Sequence, residues 1–293
     1  MSFTVRMWGT RGSVPACGPE TARFGGNTSC VGVRDDHGTV IVLDAGTGIR
    51  RMGDAVGPEV RRVDVLLTHL HMDHIQGLGF FAPLYQPGME VHIWGPASAT
   101  LDLRGRLGRY LSPPLFPVTL RDLPCRLHLH QVPRGDFDIG SFRVSAALVG
   151  HPGPTVGYRL SQGPVSMAYL PDHEPALGVA SFPQGASWTS GYPLAEGVDL
   201  LIHDAQYTRA EYPAHVGWGH SSIHHALTFA ALAGARHLVP FHHDPARDDV
   251  ALVRAIDAAV RDLGPAFPVT PAAEGAHFVL GAAAAETVAA ASS

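Results

Sequence analysis

The stretch Thr68-His69-Leu70-His71-Met72-Asp73-His74 constrains this chain more than any other. It packs three histidines and an aspartate into six residues, directly after the apolar run Val63-Asp64-Val65-Leu66-Leu67. That run reads as a buried strand, and Ile75 to Tyr85 reads as a short helix made irregular by Gly77 and Gly79. A strand that ends in a tight loop turns His69 and His71 to one side. Asp73 and His74 then stand at the helix start, facing a neighbouring point. One cation would take the two histidines, and a second the aspartate and the last histidine. Neutral imidazole and carboxylate hold zinc and also suit manganese or iron. Four residues cannot fill two coordination spheres, so further ligands are expected from distant parts of the chain.

Composition narrows the class. With 293 residues and 45% hydrophobic content the chain can bury a large core. A net charge of −5 offers no basic field for nucleic acid. Cys17, Cys30 and Cys125 lack metal-type spacing and read as reduced thiols of a cytoplasmic protein. No apolar signal region and no run of transmembrane length is found, so no membrane role is expected.

The HxHxDH run after an apolar strand resembles the hallmark of the metallo-β-lactamase superfamily, and the resemblance extends along nearly the whole chain. It implies an α/β fold, a four-layered αββα sandwich with the site at one rim between two sheets. A single domain is expected over residues 1–280, with 97–135 an insertion at the cleft and 281–293 a frayed Ala-rich tail. The resemblance also implies the missing ligands. His151 ends the strand Phe142 to Val149 and would join His69 and His71 on the first metal. His242, after the strand Leu238 to Phe241, would join Asp73 and His74 on the second, with His243 as the alternative or as support. Asp172, in Pro171-Asp172-His173-Glu174 after the hairpin of Val156 to Leu160 and Val165 to Leu170, would bridge the two. Asp44, closing the hairpin of Cys30 to Arg34 and Thr39 to Leu43, would orient a ligand rather than bind metal.

Other segments read less sharply. Phe3 to Trp8 is a strand, followed by a breaker-rich loop in which Arg11, Arg23, Asn27 and Ser29 are free either to face an anionic substrate or to brace the loop. Segment 97–111 reads as helical and carries Arg104, Arg106 and Arg109, a solvated face or a cleft mouth. Segment 175–198, rich in Gly, Pro and Ser, reads as a loop or lid over the site. Ser221 is the expected N-cap of an Ala-rich helix through Leu232. A helix over Asp248 to Leu263 has Val250, Val253, Ile256, Ala259 and Val260 on one face.

The ligand set implies hydrolysis. Two divalent ions about 3.5–4 Å apart hold a hydroxide and neutralise an oxyanion. Downstream, His203-Asp204-Ala205 and Gly219-His220-Ser221-Ser222 resemble the phosphodiesterase branch, which includes ribonuclease Z and the phosphoribosyl cyclic phosphate phosphodiesterases. There the histidine is the general acid and a carboxylate orients it, so His220, Asp204 and Asp73 are the expected catalytic residues. Asp204 stands where the branch has glutamate. Arg11, Asn27, His173 and His220 are the expected substrate contacts, and for His173 and its neighbour Glu174 a supporting role behind the ligands is the stronger reading. The substrate is expected to be a small cyclic phosphodiester or cyclic nucleotide and the protein a homodimer. The acidic charge and the lack of a long basic arm argue against tRNA. The alternatives are an ester, thioester or lactone hydrolase, a tRNA 3′-end endonuclease and a non-catalytic ligand-binding module on the same fold.

Overall fold

The structure, a computed structural model, describes residues 2–175, 177, 182, 185–281 and 286–288. Its strands are β1 Phe3–Gly9, β2 Cys30–Asp35, β3 Val40–Leu43, β4 Arg62–Leu66, β5 Glu90–Gly95, β6 Arg126–Gln131, β7 Phe137–Ile139, β8 Phe142–Leu148, β9 Val156–Gln162, β10 Val165–Leu170, β11 Leu200–Asp204, β12 Leu238–Phe241, β13 His277–Leu280 and β14 Glu286–Val288. Its α-helices are α1 Ile49–Asp54, α2 Met72–Ile75, α3 Leu103–Gly108, α4 Tyr192–Ala195, α5 Ile223–Ala233 and α6 Asp249–Leu263.

The strands form two sheets, one of eight in the order β14-β13-β1-β2-β3-β4-β5-β6 and one of six in the order β12-β11-β10-β9-β8-β7. Three apolar clusters hold the layers together. The first lies between the sheets and includes Met7, Leu43 and Leu66 from one, Tyr158, Tyr169 and Phe241 from the other. The second packs Ile49 and Met52 of α1 and Leu103 and Leu107 of α3 on the outer face of the eight-stranded sheet. The third packs Leu227 and Phe229 of α5 and Leu252 and Ile256 of α6 on the outer face of the other. Helix, sheet, sheet, helix is the expected αββα sandwich. Apolar side chains on both faces of a strand bury both sheet surfaces, which is why β3 and the Leu200-Leu201-Ile202 start of β11 are apolar without alternation.

Several local expectations need correction. The helix expected over Ile75 to Tyr85 instead starts inside the motif as α2 and breaks into two 3₁₀ turns, Leu78–Phe80 and Ala82–Tyr85. The chain turns to extended backbone at Phe81, between the two turns, and Gly77 is needed for close packing, since a Cβ there would stand 2.1 Å from the Gly46 carbonyl oxygen. Ser222, not Ser221, caps α5, accepting from the His225 N–H. The buried stripe of α6 is Leu252, Ile256 and Ala259, while Val250 is exposed. Segment 97–135 is not an insertion throughout, because β6 pairs in parallel with β5 as the edge of the larger sheet. The tail is not wholly frayed, because β14 pairs antiparallel with β13. Residues 282–285 and 289–293 of that tail, and residues 176, 178–181, 183 and 184 of the expected lid at 175–198, lie outside the described residues. No helix among the described residues is long and apolar enough to cross a membrane.

Candidate metal centre

Strand ends carry the site. β4 delivers Thr68 to His74, the turn after β8 delivers His151, β10 delivers Asp172, β11 delivers Asp204 and β12 delivers His242. The ligating atoms of His69, His71 and His151 lie within 4.8 Å of one another, and so do those of Asp73, His74, Asp172 and His242. His151 Nε2 is 3.2 Å from His71 Nδ1. Asp73 Oδ2 is 3.3 Å from His74 Nε2 and 3.1 Å from His242 Nε2. Two donors about 2.1 Å from a tetrahedral ion stand roughly 3.4 Å apart, so these spacings fit shared cations.

Asp172 faces both groups with different oxygens. Its Oδ1 lies 2.9 Å from His74 Nε2 and 3.3 Å from His242 Nε2. Its Oδ2 lies 3.7 Å from His69 Nε2 and 3.8 Å from His151 Nε2. One carboxylate divided in this way is placed to bridge two ions. Among the described residues the buried His69 Nε2 has no hydrogen-bond partner, and His74 Nε2 and Asp172 Oδ1 face each other at 2.9 Å but in poor hydrogen-bond geometry. Buried polar atoms left without good partners are costly, and cations would satisfy them.

The other ring nitrogens are tied back, which sets the tautomers. His74 Nδ1 donates to Asp44 Oδ2 at 2.8 Å. His151 Nδ1 donates to the Gly219 carbonyl at 2.9 Å, and His242 Nδ1 to Gln206 Oε1 at 3.0 Å. Thr68 Oγ1 donates to Asp44 at 2.9 Å, so it accepts from His69 Nδ1 at 3.0 Å. Each of these four rings therefore turns an Nε2 lone pair inward, the usual arrangement for metal-bound imidazole.

Electrostatics agree with the geometry. Burial alone would lower the His74 pKa, but Asp172, Asp73 and Asp44 outweigh it and raise it well above its ordinary value. Burial would raise the Asp172 carboxyl, yet the charges of His242, His74 and His69 hold it well below the usual range. His69 is pushed well down, first by burial and then by His74. Three carboxylates around one imidazole demand positive charge, which divalent cations would supply.

His220 stands beside this cluster. Its Nδ1 donates to Asp204 Oδ2 at 2.7 Å and lies 3.9 Å from Asp172 Oδ2. Burial would lower its pKa, but Asp204 outweighs that and raises it to about 9. The shorter aspartate therefore reaches. Its other oxygen accepts from the Ser221 and Gln206 N–H groups, each at 3.1 Å.

The structure moves four residues away from their expected roles. Arg11 does not face a substrate. It is fully buried, and its guanidinium donates to the carbonyls of Gly25, Asp244 and Arg247. Asn27 Nδ2 donates to Glu274 Oε2 at 2.9 Å and braces the loop. His173 is fully buried, paired with His203 at 2.9 Å and packed on Phe229, out of a substrate's reach. His243 neither binds nor supports a ligand, since its Nε2 donates to the Ala272 carbonyl and its ring packs edge-on to Phe24.

Two participants were not anticipated, and a third, Glu174, was expected in support of the ligands. Gln206 orients His242 and stands just past the end of β11, where its N–H is held by Asp204 Oδ1. The Ser13 N–H donates to Asp73 Oδ2 at 2.7 Å, a backbone contact no side-chain pattern reveals. Glu174 accepts from the Gly217 and Gly219 N–H groups and so positions the loop carrying His220.

The family model described as the Beta-lactamase superfamily domain matches residues 39–243, which span every residue of the two clusters. The ribonuclease Z of Natronomonas pharaonis is 25% identical over 285 residues, covering 83% of this chain and 87% of that protein. That of Thermosynechococcus vestitus is 28% identical over 226 residues, covering 63% of this chain but only 53% of the relative's length. Among solved structures, the metallo-beta-lactamase fold protein YhfI from Bacillus subtilis superposes with a TM-score of 0.67 at 20% identity, covering 96% of this chain and 99% of that one.

Proposed function

This chain belongs to the metallo-β-lactamase superfamily, and from that premise we propose that it is a dimetal phosphodiesterase acting on a small phosphodiester such as a cyclic nucleotide or sugar cyclic phosphate. His69, His71 and His151 would hold one divalent ion, and Asp73, His74 and His242 the other, with Asp172 shared. Zinc is the first choice for this donor set, with manganese or iron admissible. When bound, such ions supply a water activated for attack at neutral pH and positive charge against the phosphate oxygens.

The chain's own residues do the rest. Asp44, Thr68, Gln206 and Gly219 hold the imidazoles in one tautomer and orientation. His220 keeps a proton at neutral pH because Asp204 raises its pKa to about 9. An alkoxide leaving group needs that proton, and this dyad beside the cluster is the observation that carries the reading.

The test compares the metal-loaded protein on bis-p-nitrophenyl phosphate, on a cyclic nucleotide and on a lactone panel. Phosphodiester turnover is expected to dominate. Lactones hydrolysed far faster, with His220→Ala retaining its full rate on the cyclic nucleotide, would overturn the reading. A second reading, RNA 3′-end cleavage, is favoured by the likeness to ribonuclease Z proteins. Processing of a precursor tRNA faster than any small phosphodiester would establish it instead.

A further inference from the structure

We infer that Arg106 forms a separate anion subsite, which selects phosphodiesters carrying a second negatively charged group beyond the scissile phosphate. The inference rests on the phosphodiesterase reading of the histidine–aspartate cluster and deepens it. A cavity of about 190 Å³ opens against His69 and His71 and is walled by Ser98, Arg106, Pro152 and Pro154. A second cavity of about 350 Å³, lined by Arg106, Arg109, Tyr110 and Leu115, shares Arg106 and Leu70 with the first. The two make a groove that starts at the three-histidine group and runs past Arg106 onto a shelf of Ile75, Tyr110 and Leu115 edged by Arg109.

The guanidinium is held in an unusual way. Its Nη2 donates to the Pro96 carbonyl at 2.6 Å and its Nε to the Asp102 carbonyl at 3.4 Å. Among the described residues it makes no ion pair. The Asp102 carboxylate is engaged elsewhere, accepting from the Gly105 N–H at 2.7 Å as the cap of α3. Neutral carbonyls fix the planar fork, Asp102 attracts it without pairing, and a partly buried guanidinium held in this way is matched to phosphate or carboxylate oxygens.

Position separates this group from the reacting bond. Neither His220 nor Asp73 lines the groove, so the groove receives a part of the substrate other than the bond being cut. The pyrrolidine rings of Pro152 and Pro154 opposite offer no side-chain donor, which leaves Arg106 as the charged contact in the first cavity.

The test uses the metal-loaded protein and calorimetric binding of thymidine 3′,5′-bisphosphate against thymidine 5′-monophosphate. Wild type is expected to prefer the bisphosphate, and Arg106→Gln to lose that preference by roughly 10–100-fold while binding the monophosphate within about twofold of wild type. Arg106→Lys, which keeps charge but not the fork, should retain part of it. Thermal melts of both variants check that the Pro96 segment still folds. Equal binding of the two nucleotides by wild type, no binding of either, or an equal loss for both in a folded Arg106→Gln protein would overturn the subsite. A protein that hydrolyses no phosphodiester but shows the Arg106-dependent preference keeps the subsite and discards the phosphodiesterase reading.

Discussion

Asp44 Oδ2 accepts a hydrogen bond from His74 Nδ1 at 2.8 Å, with both side chains wholly buried. The same carboxylate accepts from Thr68 Oγ1, which in turn receives His69 Nδ1. One aspartate therefore orients a histidine in each of the two groups. Its backbone φ of 59° lies in the left-handed region, a cost that aspartate tolerates better than most residues. Replacing Asp44 by Asn keeps the shape but removes the charge that fixes both rings. Metal affinity is expected to fall roughly 10–100-fold, measured by competition with a chromophoric chelator. Unchanged affinity would show that Asp44 serves the fold alone.

Gly219 gives a prediction of a different kind. Its φ is +88°, and a Cβ built there would lie 2.3 Å from His151 Nδ1 and 2.3 Å from Pro152 Cδ. Glu174 holds the same residue by its N–H at 2.8 Å, so the loop cannot retreat without losing that bond. Gly219→Ala is expected to push His151 out of the three-histidine group. The metal content should drop from two ions per chain towards one, read by elemental analysis, while the melting temperature of the apoprotein changes by only a few degrees. Full occupancy of both sites in this variant would mean that His151 is not needed to hold an ion.

Much of this was legible in the sequence because ligands at strand ends are local events. An apolar strand followed by His69, His71, Asp73 and His74 states its own geometry, whereas His151, Asp172 and His242, single residues at distant strand ends, were legible only through the family resemblance. What stayed hidden is where a loop side chain turns. Arg11 and Asn27 look like free polar groups in a breaker-rich loop, yet their partners lie more than 200 residues away, at Arg247 and Glu274. Of the adjacent pair His242 and His243, only His242 turns inward, at a left-handed φ of 59° that no composition rule announces. Arg106 was visible only as one of three arginines on a short helix. The two cavities that meet at its guanidinium are a tertiary fact.

Acid should weaken the fold through His203. Its Nδ1 donates to the Asp204 carbonyl at 2.7 Å, so its Nε2 must accept from His173 Nδ1 at 2.9 Å. A second proton would set two donors face to face. Burial accordingly lowers the His203 pKa to about 4 from an ordinary 6.5. Below 6.5 the unfolded chain takes up a proton that the folded one refuses. The stabilising effect of a neutral His203 is thus complete above 6.5 and declines as the pH falls towards 4, by at most about 1.4 kcal/mol per unit. Urea midpoints at neutral and mildly acidic pH should separate more for wild type than for His203→Gln. Parallel shifts in the two proteins would remove His203 from the explanation.

The pairing of His220 with Asp204 makes the sharpest kinetic prediction. A general acid matters when the leaving group is a poor one and hardly at all when it is p-nitrophenolate. His220→Ala is therefore expected to lose roughly 10²–10⁴-fold in kcat on a cyclic nucleotide, whose departing alkoxide needs a proton, and far less on bis-p-nitrophenyl phosphate. Asp204→Asn should act through the pKa. The carboxylate raises His220 to about 9, so wild type keeps the acid protonated through neutrality and loses activity only as the pH rises past that value. Removing the charge lowers the pKa, and the alkaline limb of the kcat profile should move to lower pH for the cyclic nucleotide. An alkaline limb that stays in place in Asp204→Asn would mean that this limb reports some other group, and equal losses on both leaving groups would assign His220 to binding rather than proton transfer.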